Sequence, residues 1–127
     1  MDERKGTRSA LIVDDEEPLL QVLDELLREA GFTTTCFSRG KPALAALQQQ
    51  RFDLMVLDVG LPDVNGLRLA LAARELYDDD IMILIMTGDD QRARSAGAYT
   101  VGADDFIGKP FDLDQLIARI NAHFQPA

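Results

Sequence analysis

Phe52-Asp-Leu-Met-Val-Leu-Asp-Val-Gly-Leu-Pro-Asp-Val-Asn-Gly66 is the stretch on which the reading of the chain turns. Leu54 to Leu57 is a continuous apolar run of strand character. It stops at Asp58 and breaks into a loop that carries Gly60, Pro62, Asp63, Asn65 and Gly66. One carboxylate therefore stands at the carboxyl end of a buried strand. In open α/β sheets that edge binds ligands, because the loops leaving the strands diverge there into a crevice. Asp58 is the first candidate for chemistry, although an aspartate in this place equally well opens a turn or caps the next helix.

Working outward, strand and helix patterns alternate. Ser9 to Val13 is an apolar run ended by Asp14-Asp15-Glu16-Glu17, and Pro18 fits a helix start. Leu19, Leu20, Leu23, Leu26, Leu27 and Ala30 follow at helical spacing, with Gly31 as the stop. Phe32 to Phe37, with three threonines, reads as a polar edge strand. Pro42, Ala43, Leu44 and Leu47 mark a second helix, and Leu67, Leu69, Ala70, Leu71, Ala73 and Leu76 a third, closed by Asp78-Asp79-Asp80. Ile81 to Met86 is a strand buried on both faces, ended by Thr87-Gly88. Asp90 to Val101 is a weak helix containing Gly97. Asp104 to Gly108 is a fifth strand, and the last helix is opened by Asp112 with Gln115 three residues on, a capping-box pattern. Five strands alternating with five helices call for a doubly wound parallel sheet joined by right-handed crossovers.

The chain has 127 residues, 46% of them hydrophobic, which suits one domain. Residues 1–8 read as a flexible leader and 9–125 as the domain. A net charge of −9 argues against direct binding to nucleic acid or an anionic membrane, both of which need surface Lys and Arg. A single cysteine, Cys36, allows no internal disulfide and, with no apolar signal region at the start, points to the cytoplasm. The longest apolar run is far short of a membrane span.

Polar residues recur where strands end: Asp14 and Asp15 after the first, Asp58 after the third, Thr87 after the fourth, Lys109 after the fifth. In strand order 2-1-3-4-5, strands one and three are neighbours at the switch point, so Asp14, Asp15 and Asp58 share one crevice. Three close carboxylates repel unless a cation or protons intervene. Hard oxygen ligands without His or Cys nearby point to Mg2+ or a similar ion. Thr87 and Lys109 complete a phosphoryl-transfer logic in which an ammonium neutralises charge, a hydroxyl donates to an equatorial oxygen and Asp58 is the nucleophile. Taken singly, each has a plainer reading: an acidic first helical turn for Asp14 to Glu17, a turn residue for Thr87, a solvated lysine for Lys109.

The set Val-Asp14-Asp15-Glu, Leu-Asp58-Val-Gly-Leu-Pro62-Asp-Val-Asn-Gly66, Met-Thr87-Gly and Gly102-Ala-Asp-Asp-Phe-Ile-Gly-Lys109-Pro110-Phe resembles the receiver domain of bacterial two-component response regulators, from Ser9 to Phe124. The resemblance implies a flavodoxin-like (CheY-like) fold that accepts a phosphoryl group from a histidine kinase or phosphotransfer protein onto Asp58. It implies Mg2+ held by Asp15, Asp58 and the backbone carbonyl of Gly60, with Asp14 orienting a metal-bound water. Thr87 and Phe106 match the family's switch residues, and Lys109-Pro110 matches a pair whose peptide bond is usually cis. Gly60 and Asp89 stand at two positions that tune phosphoryl lifetime in the family, and depart from its commoner pattern.

On this resemblance the chain is a signalling domain rather than an enzyme, catalysing only its own phosphorylation and dephosphorylation. It is either a stand-alone regulator or the N-terminal part of a transcriptional one, since Phe111 to Phe124 resembles segments that precede winged-helix domains. Asp104, Asp105 and Arg119 match charges through which such relatives pair, on the face of the 90–101 helix, the fifth strand and the last helix. Ser95, Thr100, Gln115 and Asn121 replace other charged partners, so the expectation is a weak, phosphorylation-dependent homodimer. Two rivals use similar folds. A haloacid-dehalogenase-type phosphatase resembles Asp-x-Asp at its nucleophile, where this chain has Gly60 at the second position. A flavodoxin-like mononucleotide binder needs phosphate-binding amides after strand one, where Asp14 to Glu17 would repel the ligand. His123, Cys36, Met82, Met86 and Tyr99 read as surface or packing residues.

Overall fold

A computed structural model describes residues 7–88 and 102–124. The strands are β1 (Arg8–Val13), β2 (Phe32–Phe37), β3 (Leu54–Asp58), β4 (Met82–Thr87) and β5 (Asp105–Gly108). The described helices are α1 (Glu17–Glu29), α2 (Gly40–Gln49), α3 (Gly66–Tyr77) and α4 (Leu113–Phe124), with a 3-10 turn at Asp78–Asp80. All pairings are parallel, as the alternating pattern requires, and the order is β2-β1-β3-β4-β5, as the resemblance implied. The expected helix over 90–101, with Ser95, Tyr99 and Thr100, lies outside the described residues, as does Asp89.

The pleat sorts each strand onto two cores. Leu11, Val13, Met55, Leu57, Ile83 and Ile85 face α2 and α3. Ala10, Ile12, Leu54, Val56, Leu84 and Met86 face α1 and α4. Strands β3 and β4 are buried along their whole length, which explains why their sequences show no polar alternation.

Three expectations shift. Arg8, placed in the leader, belongs to β1: it pairs in register with Phe32, and its guanidinium lies 4.7 Å over the Phe124 ring. Leu71 and Leu76, read as part of the helical apolar pattern, are solvent-facing at 45% and 48% exposure, because Leu67, Leu69, Ala70 and Ala73 already fill the face toward the sheet. Strand β5 begins at Asp105, since Asp104 turns its carboxylate back to accept the Ile83 N–H at 2.8 Å. Asp112 does open α4, its side chain accepting the Asp114 N–H at 3.1 Å.

Candidate functional site

The carboxyl ends of β1 and β3 are adjacent because Val13 pairs with Leu57. The residues just beyond therefore converge, and one carboxylate oxygen from each of Asp14, Asp15 and Asp58 lies within 4.8 Å of the others. Asp14 is fully buried and Asp58 is 8% exposed, whereas Asp15 faces solvent. Thr87 ends β4 beside them and is also buried, at 6% exposure.

Lys109 reaches the cluster from the end of β5. The Lys109 N–H donates to the Thr87 carbonyl at 2.6 Å, and the Lys109-Pro110 peptide is cis, as the resemblance implied. The Lys109 ammonium donates to Asp14 Oδ2 at 2.7 Å and to Glu16 Oε1 at 2.8 Å, and lies 3.6 Å from Asp58 Oδ2. The other Asp14 oxygen accepts the Glu16 N–H at 2.8 Å, so Asp14 is fixed at both oxygens.

These contacts bear on the plainer readings of Asp58, of the acidic run and of Lys109. The cap of α3 is Asn65, whose Oδ1 accepts the Leu67 N–H at 2.9 Å, so Asp58 is not needed for that task. Of the acidic run, only Glu17 lies in the first turn of α1; Asp14 points into the sheet edge and Glu16 onto Lys109. Lys109 is no solvated lysine, with its side chain 16% exposed.

Electrostatics follow from this packing. Burial raises the Asp58 pKa above its ordinary value and the Asp14 and Asp15 charges add to the rise, while Lys109 and the Gly60 N–H oppose it. Burial also disfavours the Lys109 ammonium, but its bonds to Asp14 and Glu16 and the charge of Asp58 outweigh this and raise its pKa. Net negative charge remains at the cluster.

The loop after Asp58 is held closely. The Gly66 N–H donates to the Val59 carbonyl at 2.9 Å, and a Cβ at Gly66 would lie 2.3 Å from the Asp58 carbonyl oxygen. That approach is why the loop closes on a glycine. A Cβ at Gly60, by contrast, would meet nothing within 4 Å, so the glycine leaves the mouth of the site open. Phe106 on β5 is half-buried against the core shared with α2 and α3.

The donor set suits a hard divalent cation. All three side chains are carboxylates, the cluster is the one such group among the described residues, and its charge exceeds what Lys109 neutralises. No His or Cys enters it.

Two residues were missed as partners: Glu16, which shares Lys109, and Asp63, whose carboxylate accepts the Gly40 and Lys41 N–H groups at 2.7 and 2.8 Å. Both contacts join segments far apart in sequence or through a turn, and no spacing rule signals them. Asp104 and Asp105 also have partners within the chain, Arg74 and Arg119, each at 2.8 Å.

A doubly wound 2-1-3-4-5 sheet whose switch-point crevice holds buried aspartates and a lysine defines a CheY-like domain. The response regulator receiver domain family matches residues 10–121, and the chain belongs to that family. It is 34% identical over 114 residues to the probable transcriptional regulatory protein TcrX of Mycobacterium tuberculosis, covering 90% of this chain and 48% of TcrX. The chain thus spans about half the length of that curated relative. Among solved structures, it is similar to the response regulator TrrA of Thermotoga maritima in complex with Mg(2+)-BeF, with 29% identity, a TM-score of 0.80, and 91% and 97% of the two chains covered. It is similar also to the chemotaxis response regulator CheY4 of Vibrio cholerae, with 28% identity, a TM-score of 0.83, and 91% and 98% covered.

Proposed function

We propose that this receiver domain takes a phosphoryl group onto Asp58 from a phosphohistidine of a histidine kinase or phosphotransfer protein, and that the modified domain signals to an output domain or protein target. The observation that carries this is the convergence of Asp58 with Asp14, Asp15 and Lys109 at the switch-point crevice. In the transfer a bond forms between an Asp58 oxygen and phosphorus as the phosphorus–nitrogen bond to the donor imidazole breaks. The attacking carboxylate must be ionised, and Lys109 at 3.6 Å favours that form against the cost of burial. Lys109 then neutralises charge on the transferred group, and the Thr87 hydroxyl donates to one of its oxygens. Asp14, pinned by Lys109 and the Glu16 N–H, keeps a fixed negative oxygen beside the metal position. Asp15, Asp58 and the Gly60 carbonyl would hold Mg2+, which when bound would supply the positive charge that offsets three carboxylates toward an incoming phosphoryl anion.

The domain so used is not an enzyme acting on other substrates; it catalyses only its own phosphorylation and dephosphorylation, in the cytoplasm. Thr87 and Phe106 shift between two packings on phosphorylation and alter the β5–α4 face. Self-association through that face stays weak, because Asp105 and Arg119 already pair within one chain. Exchanging that pair for the same pair between chains gains little, given that exposed ion pairs contribute about 0.2–1 kcal/mol. The test is intact mass after incubation with a small phosphodonor. One phosphoryl group is expected with Mg2+ and none in chelator; labelling that is indifferent to Mg2+ would overturn the reading.

A further inference from the structure

Helix α2 has no cap of its own. Its N-cap residue, Arg39, makes no side-chain capping bond, and its first turn contains no acidic residue. A cation is the wrong charge for that end of a helix, where free N–H groups concentrate positive potential. The cap comes instead from Asp63 in the loop after β3: Oδ1 accepts the Gly40 N–H at 2.7 Å and Oδ2 the Lys41 N–H at 2.8 Å. These two backbone bonds, joined by the Arg39 charge, hold the Asp63 pKa below the ordinary carboxylate value. The fit is close, since a Cβ at Gly40 would lie 2.1 Å from Val64 Cγ2 and 3.3 Å from Asp63 Oδ1. Only a glycine lets the loop seat this deeply.

The same loop carries Gly60, three residues before Asp63. Its far end is fixed by Gly66 against the Asp58 and Val59 backbone. The Asp63 carboxylate is the attachment between these two points.

We propose that Asp63 is a positioning residue: by clamping the 59–65 loop to the N-terminus of α2, it holds the Gly60 carbonyl and the Asp58 backbone in the arrangement that binds Mg2+. The proposal rests on the reading of Asp58 and Gly60 as part of a metal-dependent phosphoacceptor site. A capping role alone makes a different prediction, because a cap can be supplied locally. Arg39 already has the extended N-cap backbone (φ −136, ψ 156), and serine is a favoured N-cap residue. Arg39→Ser combined with Asp63→Ala therefore gives α2 its own cap without reattaching the loop, and leaves the net charge unchanged.

The experiment is a calorimetric Mg2+ titration at low salt of the wild-type chain, Asp63→Ala, and Asp63→Ala with Arg39→Ser, with a thermal melt and amide hydrogen exchange on each. Asp63→Ala is expected to lower the melting midpoint and to weaken Mg2+ binding about tenfold, the low end for loss of a group that orients metal ligands. The double variant is expected to regain the midpoint and the protection of α2 amides, yet to keep the weak Mg2+ binding and fast exchange over 59–65. Recovery of Mg2+ affinity along with the midpoint would overturn the proposal, showing that Asp63 serves α2 alone. Undiminished affinity in Asp63→Ala would overturn it too. Wild-type protein that fails to bind Mg2+ would overturn the metal-site reading itself, and this proposal with it.

Discussion

Replacing Lys109 with methionine keeps most of the aliphatic stem and removes the charge that faces Asp14. Asp14 is fully buried and sits 2.7 Å from the ammonium, so the variant strands a carboxylate in the sheet edge. Removing one partner of a buried ion pair costs about 3–5 kcal/mol. The lower end applies, because Asp14 keeps the Glu16 N–H at 2.8 Å and the exposed Asp15 shows that water reaches the rim. The Lys109 contact to Glu16 adds little, since that carboxylate is 61% exposed and its charge is screened. A loss of about 3 kcal/mol, set against an unfolding entropy of about 2.1 cal/mol/K per residue, lowers the melting midpoint of a 127-residue chain by about 11 °C. Urea melts in chelator, followed by far-ultraviolet circular dichroism, measure the loss. Adding Asp14→Asn removes the stranded charge, so the double variant should be more stable than Lys109→Met alone. A loss below about 1 kcal/mol, or a double variant no better than the single, would refute the reasoning that Lys109 is what makes a buried Asp14 tolerable.

Asp58→Asn should stabilise the metal-free protein, with a pH dependence of fixed sign. Because burial raises the folded Asp58 pKa, with Asp14 and Asp15 adding to it, the folded state holds this proton more tightly than the unfolded chain. Stability from that preference is present below the unfolded pKa and lost as pH rises through the folded one. The gain in melting midpoint of Asp58→Asn over wild type should therefore be larger at pH 7 than at pH 4, and a gain equal at both would count against the shift. Cys36 is half-buried and burial, with the Asp24 charge, pushes its thiol up to about 11. Against an ordinary thiol near 9.0, its thiolate fraction at pH 8 falls about 100-fold, and disulfide-reagent kinetics on native protein should slow in proportion. Reaction at the rate of a free thiol would show the sulfur to be open.

Much of the fold was legible because the chain is locally consistent. The wholly apolar Leu54 to Leu57 and Ile81 to Met86 runs demand strands covered on both faces, and the helices between them supply the cover. The site was legible because parallel α/β topology sends every strand's last residue to one edge, so Asp14, Asp58, Thr87 and Lys109 could be assembled from strand ends alone. What escaped was set by tertiary contact. That Glu16 turns to Lys109 while its neighbour Glu17 stays on the helix depends on the side chains' reach, and both letters read alike in an acidic run. That Asp63 caps α2 depends on Gly40 having no Cβ, a contact across 23 residues. Leu71 and Leu76 were misplaced because helical periodicity marks apolar positions without saying how wide a face the sheet can cover.

The central claim is that Asp58, and no other carboxylate of the cluster, takes the phosphoryl group. Peptide mapping by tandem mass spectrometry, after brief treatment with a small phosphodonor and Mg2+, tests it directly. The modification is expected on the peptide containing Asp58, and Asp58→Asn should leave the chain unlabelled under the same conditions. A phosphoryl group found on Asp14 or Asp15, or equal labelling of Asp58→Asn, would contradict the account.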